Sequence, residues 1–561
     1  MEKIWLDHYD SGIPHTLQPY PDSTLVDLAD DTARRRPEHP ALWFKGRTIT
    51  YGELKRLSDA LAAALVAMGV QKGERVAIVF PNTPQYVIAE MAIWKAGGIV
   101  ASINPLYTGF ELEHALKECG AETAIVMSLF YDKVKAVQAK TSLQRVIVGN
   151  IKEYLPTLLR FLFTLAREGK EGHRITLQPG DVWFQDLIKQ YTGAGRPDVA
   201  VNPQDPALIL FTGGTTGLSK AAIGSHQGLL ISGLQIFAWF QNVFEEYEEV
   251  FLTALPLFHV FAAAGVQPAT FASRSTMVLV PNPRDLDDVI DTIQKTKATF
   301  FPSVPTMFNA LVDHPDVQSG NVDLTSIKLC ISGASALLKD TKDRFETATK
   351  SRIVEGYALT ESMMAICCTP VDGSYKVGSV GMPAPDVLVR IADVETGEQT
   401  LPTGPDHVGE IVISAPQLML GYWQRPEATE EILRNDELFT GDLGYMDEEG
   451  FIFIVDRKKD VIKPSGFQVW PREVEEVIAS HPAVAEVGVA GIPDPRTTEA
   501  VKAWIVLQPG EAVTTEEIQG YCRERLTGYK VPKHVEFRSE LPKSTIGKVL
   551  RRELVREELE K

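Results

Sequence analysis

Between Ile49 and Pro105 the chain changes period repeatedly. ITYGELKRLSDALAAALVAMGV, RVAIVFPN, PQYVIAEMAIWKAGG and IVASINP read in turn as helix, strand, helix and strand. In the first segment Leu54, Leu57, Leu61, Leu65 and Met68 recur at helical spacing, Thr50 with Glu53 makes a capping-box pattern, and Gly69 ends the run. Strands that alternate with helices pair in parallel and use the helices as crossovers, so the fold class is α/β with layered sheets. TMVLVPNP, DLDDVIDTIQKT, ATFFPSVP and IKLCISG continue the alternation.

A chain of 561 residues is too long for one core, since single cores stop growing at roughly 250 to 300 residues. After about residue 385 the texture changes to short β-rich pieces, VLVRIADVETGEQTLPTG and HVGEIVISAPQLMLGYW, which predict a β subdomain over about 385–456. The DRKKD joint follows, with Pro471 placed for the first turn of a new helix. The expected organisation is a large N-terminal domain over 1–456, a hinge at 457–460 and a small mobile α+β domain over 461–561. That small domain is expected to hold strands near Val484–Val489 and Val501–Leu507, a helix near Thr514–Leu526 and a basic C-terminal helix.

Composition excludes several classes. The formal charge is −18, from 56 basic and 74 acidic residues, which opposes non-specific nucleic-acid binding and requires any phosphate site to be made locally. The five cysteines are odd in number and form no CxxC pair, so neither a disulfide framework nor a zinc site is expected, and a reducing cytosol fits. MEKIWLDHYDSGIP lacks a basic-then-apolar leader, and no run reaches the ~18 apolar residues of a membrane span. In IKEYLPTLLRFLFTLAREGK, Ile151, Leu155, Leu158, Leu159, Leu162 and Leu165 share one face, widened by Phe161 and Phe163, with Thr157, Arg160, Thr164 and Arg167 opposite. Two readings are open: a surface helix packed on the core, or an interfacial helix through which residues 151–169 touch the inner face of the cell membrane.

ILFTGGTTGLSKAAIG, residues 209–224, is rich in phosphate-binding chemistry. Its glycines let backbone N–H groups approach anionic oxygens, while Thr212, Thr215, Thr216 and Ser219 offer hydroxyls and Lys220 a charge. The spacing fits neither a Walker loop nor GxGxxG. Read with ALPLFHVFA, EGYALTES, FTGDLGYMDEEGFIFIVDRKKD and LPKSTIGKVLRREL, in that order, it resembles the adenylate-forming superfamily of acyl-CoA synthetases, nonribosomal-peptide adenylation domains and beetle luciferases. GYWQRPEAT, VDRKKDVIKPSGFQVWP and LTGYKVPKHVEFRSELPKSTIGKVLRREL look most like bacterial long-chain fatty-acid–CoA ligases.

The resemblance implies roles for particular residues. Thr212, Gly213, Gly214, Thr215, Thr216, Gly217 and Lys220 would wrap the ATP phosphates, and Glu361 with Thr212 would hold Mg²⁺. Adenine would lie against Tyr357, between Gly333–Ala334–Ser335 and Glu355–Gly356, with Thr360 nearby. Asp442 would accept the ribose hydroxyls and Arg457 would contact the nucleotide from its strand end. Lys548 would stand between two anions, the carboxylate and the α-phosphate, and supply the charge for adenylation. Locally, Lys543, Lys548, Arg551 and Arg552 could equally be a solvated helix face. His259 and Val260 would wall the acyl site, Lys459 would be the hinge, and Lys463, Ser465, Gly466 and Phe467 would line the CoA path after a domain turn.

Two departures stand out. NDELFTGD has Asp436 and Glu437 where relatives often have Gly-Trp, and Ala221 follows Lys220 where relatives commonly have glycine. The function expected is a two-step ligase in which ATP and a fatty acid give acyl-AMP and pyrophosphate, after which acyl transfer to CoA releases AMP. Long chains are favoured, with FAWFQNVF, VFAAAGV and FFPSVPTMF as candidate pocket segments and ~0.8 kcal/mol for each buried CH₂. The rivals are a medium-chain or aryl-acid ligase, an acyl-AMP ligase, and a catalytically idle lipid-binding scaffold. A homodimer is among the assemblies this reading allows.

Overall fold

The protein is described by a computed structural model covering residues 3–212, 219–335, 337–458, 460–464, 469–543 and 549–561. Among these residues the strands form four sheets, of nine, eight, five and three strands. The eight-stranded sheet runs Gly421–Tyr422, Ala221–Ser225, Pro206–Phe211, Ile99–Ser102, Arg75–Val79, Thr123–Met127, Arg145–Gly149 and Val182–Trp183. It is parallel from Pro206–Phe211 to Val182–Trp183 and antiparallel at its other edge. The nine-stranded sheet is parallel through Arg352–Tyr357, Leu329–Ser332, Phe300–Ser303, Val250–Thr253, Thr276–Leu279 and Pro40–Phe44. Antiparallel strands close both of its edges.

The helix Tyr51–Ala67 forms as its leucine spacing predicts, with the Thr50 hydroxyl accepting the Glu53 N–H. Only half of the capping box is made, because the Glu53 carboxylate turns to Arg47 at 2.9 Å. The next helix, Pro84–Lys95, has every residue buried. Asn82, just before it, ties the two large sheets together: its amide donates to Thr253 O at 2.9 Å and Leu255 O at 2.8 Å, and its Oδ1 accepts the Leu257 N–H at 2.9 Å. Removing that side chain would strand three buried backbone groups, each at ~1–3 kcal/mol.

The β subdomain is the five-stranded sheet. Gly409–Ser414 lies between Leu388–Ala392 and Glu437–Met446, and Leu433–Arg434 and Ile452–Arg457 both pair with Glu437–Met446. Asn435 and Asp436 both adopt positive φ, 51° and 62°, in the two-residue hairpin between Arg434 and Glu437. This is a type I′ turn, for which Asn and Asp substitute for glycine at modest cost, so the departure at Asp436 falls on a turn. Ala221 begins a strand and is fully buried.

The small domain holds helix Pro471–Ala479, strands Val484–Asp494, Thr498–Leu507 and His534–Phe537, helix Thr515–Arg523 and helix Arg551–Leu559. The last helix is not basic overall, since its three arginines face three glutamates in RRELVREEL. Nor is Arg551 a solvated side chain: it bonds Glu475 at 2.6 Å, Asp456 at 3.1 Å and Asp460 at 3.3 Å. In FAWFQNVF and FFPSVPTMF, Phe244 packs on Phe300 at 4.9 Å and Phe240 on Phe244 at 5.4 Å. No helix among the described residues is long and apolar enough to cross a membrane.

Candidate active site

Two adjacent parallel strands of the nine-stranded sheet, Leu329–Ser332 and Arg352–Tyr357, end side by side, with Ser332 opposite Glu355. Their carboxyl ends deliver Gly333–Ala334–Ser335 and Gly356–Tyr357 to one place, the position where open α/β sheets present ligand sites. A Cβ on Gly333 would sit 2.8 Å from the Phe261 ring, and one on Gly356 would sit 2.8 Å from Ile331, so both glycines are fixed by packing. Ala334 holds φ at 69°, a strained left-handed conformation for a residue with a side chain. Glu355 is a brace: it accepts the Tyr375 hydroxyl at 3.1 Å and the Leu337 N–H at 3.4 Å, and burial raises its pKa.

Across this ledge lies the β subdomain. The Tyr357 hydroxyl donates to Asp442 Oδ2 at 2.7 Å, while Asp442 Oδ1 faces Arg457 Nε at 3.2 Å from the neighbouring strand. Thr440 Oγ1 takes the Asp442 N–H at 3.1 Å. Asp442 is buried and fully oriented, and burial together with its charge holds the Tyr357 hydroxyl protonated, with a pKa well above the ordinary value.

A second cluster forms where strand Ala221–Ser225 leaves the phosphate-type loop. Thr212 and Lys220 face each other across the loop base, with the Thr212 N–H on Lys220 O at 2.9 Å. Strand Gly421–Tyr422 pairs with Ala221–Ser225 and brings Tyr422 alongside. The Tyr422 hydroxyl donates to Glu361 Oε1 at 2.6 Å, and the Lys220 ammonium lies 4.8 Å from the centre of the Tyr422 ring. The Met419 N–H adds a bond to Glu361 O at 3.0 Å. Just past Glu361, Met363 and Met364 both take positive φ, 45° and 62°, and Met363 Sδ would meet a Cβ on Gly224 at 2.9 Å. The carboxylate is thus aimed by a strained turn and held by a phenol.

His259 precedes a wide π-type turn over Phe261–Val266, and its Nδ1 accepts the Phe261 N–H at 3.4 Å. Burial pushes its pKa down to about 4, so it is neutral at physiological pH. Val260 is buried beside it. Thr360 O accepts the Met363 N–H at 3.2 Å, within the turn that carries Glu361. Lys463 is exposed, and its N–H is bound by Glu499 at 2.6 Å. Gly213, Gly214, Thr215, Thr216, Gly217, Lys459, Ser465, Gly466, Phe467 and Lys548 lie outside the described residues. Sequence reasoning missed Tyr422, whose only signal was an aromatic in GYW, and the Met363–Met364 turn, which no glycine marks.

The pattern of the whole chain decides the family. Residues 29–423 match the family model described as AMP-binding enzyme, and residues 473–548 match the AMP-binding enzyme C-terminal domain. The chain belongs to the AMP-binding enzyme family. This AMP-binding enzyme is 40% identical over 562 residues to a long-chain-fatty-acid–CoA ligase of Bacillus subtilis, covering 100% of the chain and 99% of that relative. It is 37% identical over 564 residues to a protein of the same name from Escherichia coli O157:H7, covering 99% and 98%. ATP-bound MatB from Rhodopseudomonas palustris superposes with a TM-score of 0.82 at 29% identity, covering 95% of this chain and 98% of that one. The anthranilate CoA ligase AuaEII in complex with anthranoyl-AMP gives 0.82 at 26% identity, covering 96% and 98%. The AMP-binding enzyme therefore has the adenylate-forming fold, with a large N-terminal and a small C-terminal domain.

Proposed function

We propose that this AMP-binding enzyme is a long-chain fatty-acid–CoA ligase. ATP and the fatty acid give acyl-AMP and pyrophosphate, and the acyl group then passes to the CoA thiol with release of AMP. The observation that carries the substrate class is the end-to-end match, at 40% identity, to a relative of that name. The described geometry fits the chemistry. Asp442, held by Tyr357 and Arg457, keeps two oriented oxygens for a diol, and the Gly333–Ser335 and Gly356–Tyr357 segments, side by side at the strand ends, are the backbone assigned to the base.

Glu361 and Thr212 are hard oxygen donors, and among the described residues Glu361 Oε2 has no hydrogen-bond partner, so the pair suits Mg²⁺. When bound, that ion neutralises charge on the leaving pyrophosphate. Gly213 to Gly217 and Lys220 cradle the β- and γ-phosphates. Lys548 approaches the α-phosphate and the fatty carboxylate and lowers the repulsion between them. Neutral His259 walls the acyl site without placing a charge against the alkyl chain.

The small domain, from 461 onward, then turns about 457–460 with Lys459 as pivot. Lys463 and the Ser465–Gly466–Phe467 turn come to line the CoA path. Residues 151–169 supply a peripheral membrane contact where the substrate is partitioned. The test is one assay over octanoate, palmitate and benzoate that scores AMP, pyrophosphate and thioester. Palmitate turned over best, with AMP and palmitoyl-CoA in equal amounts, is the expected result. ADP as product, pyrophosphate without thioester, or benzoate preferred over palmitate overturns the reading.

A further inference from the structure

Helix Thr157–Ala166 is amphipathic in the reverse sense for a soluble protein. Leu158, Phe161, Leu162 and Leu165 share one face and are 69%, 59%, 50% and 68% exposed. The opposite side is tied to the domain: Arg160 pairs with Glu153 at 2.6 Å, Thr164 O accepts Arg174 at 3.2 Å, and Phe163 meets the His173 ring edge-on at 5.5 Å. No residue of this helix is buried. Of the fifteen large apolar side chains exposed among the described residues, five, with Leu159 included, sit within these ten positions. Scattered exposed leucines need no explanation, whereas a contiguous patch marks an interaction surface.

Beneath the helix, at the carboxyl end of strand Arg145–Gly149, lies a cavity of about 260 Å³. Two ion pairs inside it cancel, Lys152 with Glu168 at 2.5 Å and Arg160 with Glu153. That leaves Arg174 and Lys189 with no carboxylate partner among the described residues, while the Gln185 amide is turned to the buried Tyr154 hydroxyl. Asp186 is the one lining carboxylate outside those pairs. Two cations without carboxylate partners lining one cavity suit a phosphate-class oxyanion.

We propose that the helix and this cavity form one bilayer-docking site for anionic phospholipid, with the leucine and phenylalanine face in the acyl layer and a head-group phosphate at Arg174 and Lys189. The proposal deepens the peripheral contact put forward above and rests on that reading. The charge of −18 does not forbid it, because at physiological salt charges more than ~8 Å away are largely screened and the local cations dominate. A second copy is a poor occupant. Five side chains on one short helix fall well below the ~800 Å² per partner of a stable interface, and a symmetric contact would bring the Arg174 and Lys189 clusters together.

The test is flotation of the full chain with vesicles of phosphatidylcholine alone, or with roughly a quarter phosphatidylglycerol, at physiological salt. Phe161→Ser with Leu165→Ser is expected to weaken binding to both vesicles by roughly tenfold or more, with unchanged thermal stability. Arg174→Ala with Lys189→Ala is expected to weaken binding only to the phosphatidylglycerol vesicles, again by roughly tenfold. Unchanged binding by either variant overturns the proposal. So does a parent dimer that Phe161→Ser dissociates, or stabilisation by inorganic phosphate that the charge variant loses while its vesicle binding persists. Turnover of octanoate in vesicle-free buffer is measured alongside: retained activity separates a failure of docking from a failure of the ligase reading.

Discussion

Two helices of nearly equal length, Pro84–Lys95 and Thr157–Ala166, are both rich in apolar residues and have opposite fates. The first is buried on every side, polar residues included, and the second is buried nowhere. What separates them is partners for their polar groups. Lys95 reaches Asp59 at 2.6 Å, Asp30 at 2.9 Å and the Ser58 hydroxyl at 3.0 Å, and Glu90 is bonded by Gln267. The arginines of Thr157–Ala166 and its flank find salt bridges at the protein surface, so its leucines are left facing out. Apolar content alone therefore does not locate a helix; the provision made for its few polar side chains does.

The largest effect that would sharpen this contrast lies at Glu90. Burial raises its pKa to about 8, and the unpartnered Oε1 atoms of Glu90 and Gln267 fit a protonated carboxyl. The folded state holds a proton that the unfolded state releases near pH 4.5. This contribution to stability is full below that pH and is lost as pH rises to about 8, on the order of 5 kcal/mol in all. Glu90→Gln should flatten that slope in denaturant titrations at several pH values; parallel slopes for parent and variant would remove this part of the account.

Next in size, Lys95→Ala removes the buried cation that Asp30 and Asp59 share, leaving Asp30 only Arg196 at 3.5 Å and Asp59 only Lys55 at 2.5 Å, and is expected to cost ~3 kcal/mol in urea unfolding. A loss below about 1 kcal/mol would mean that Lys55 and Arg196 serve the two carboxylates as well as Lys95 does. At the site, the half-buried Glu361 carboxylate has a single donor among the described residues. Tyr422→Phe keeps the ring near Lys220 but removes that bond, and should lower kcat/KM by roughly tenfold while raising the Mg²⁺ concentration needed for half activity. Its effect should vanish in a Glu361→Gln background; an undiminished effect there would separate Tyr422 from Glu361. Smallest is Leu158→Ser on the exposed helix, expected to shift folding stability by no more than ~0.5 kcal/mol. A larger loss would show that this face is packed after all.

Much of the fold was legible because local signals and tertiary contacts agree. The Thr50 cap and leucine spacing gave the helix that forms, and the strands read in RVAIVFPN, IVASINP and IKLCISG all pair in parallel. Where non-local pairing prevails, the reading fell short. The strand expected near Val484–Val489 runs on to Asp494, through Gly491 and Pro493, because Thr498–Leu507 pairs with it residue by residue and ends at Asp494 opposite Thr498. Of the site residues with distinctive strings, Tyr357 and Asp442 meet and Glu361 stands in the second cluster with Tyr422, but the bonds that orient them do not show in sequence. Tyr422 lies 61 positions from Glu361, and Tyr357 lies 85 from Asp442. The outward face of Thr157–Ala166 was illegible for a related reason: periodicity gives the stripe of an amphipathic helix but not which way the stripe points.

The central claim is that a cation at residue 548 makes the first half-reaction possible by standing between two anions. Lys548→Ala, assayed for fatty-acid-dependent pyrophosphate exchange and, separately, for thioester formation from supplied palmitoyl-adenylate and CoA, addresses it directly. Exchange should fall by at least ~100-fold while transfer to CoA is retained. Exchange at the parent rate would contradict the account.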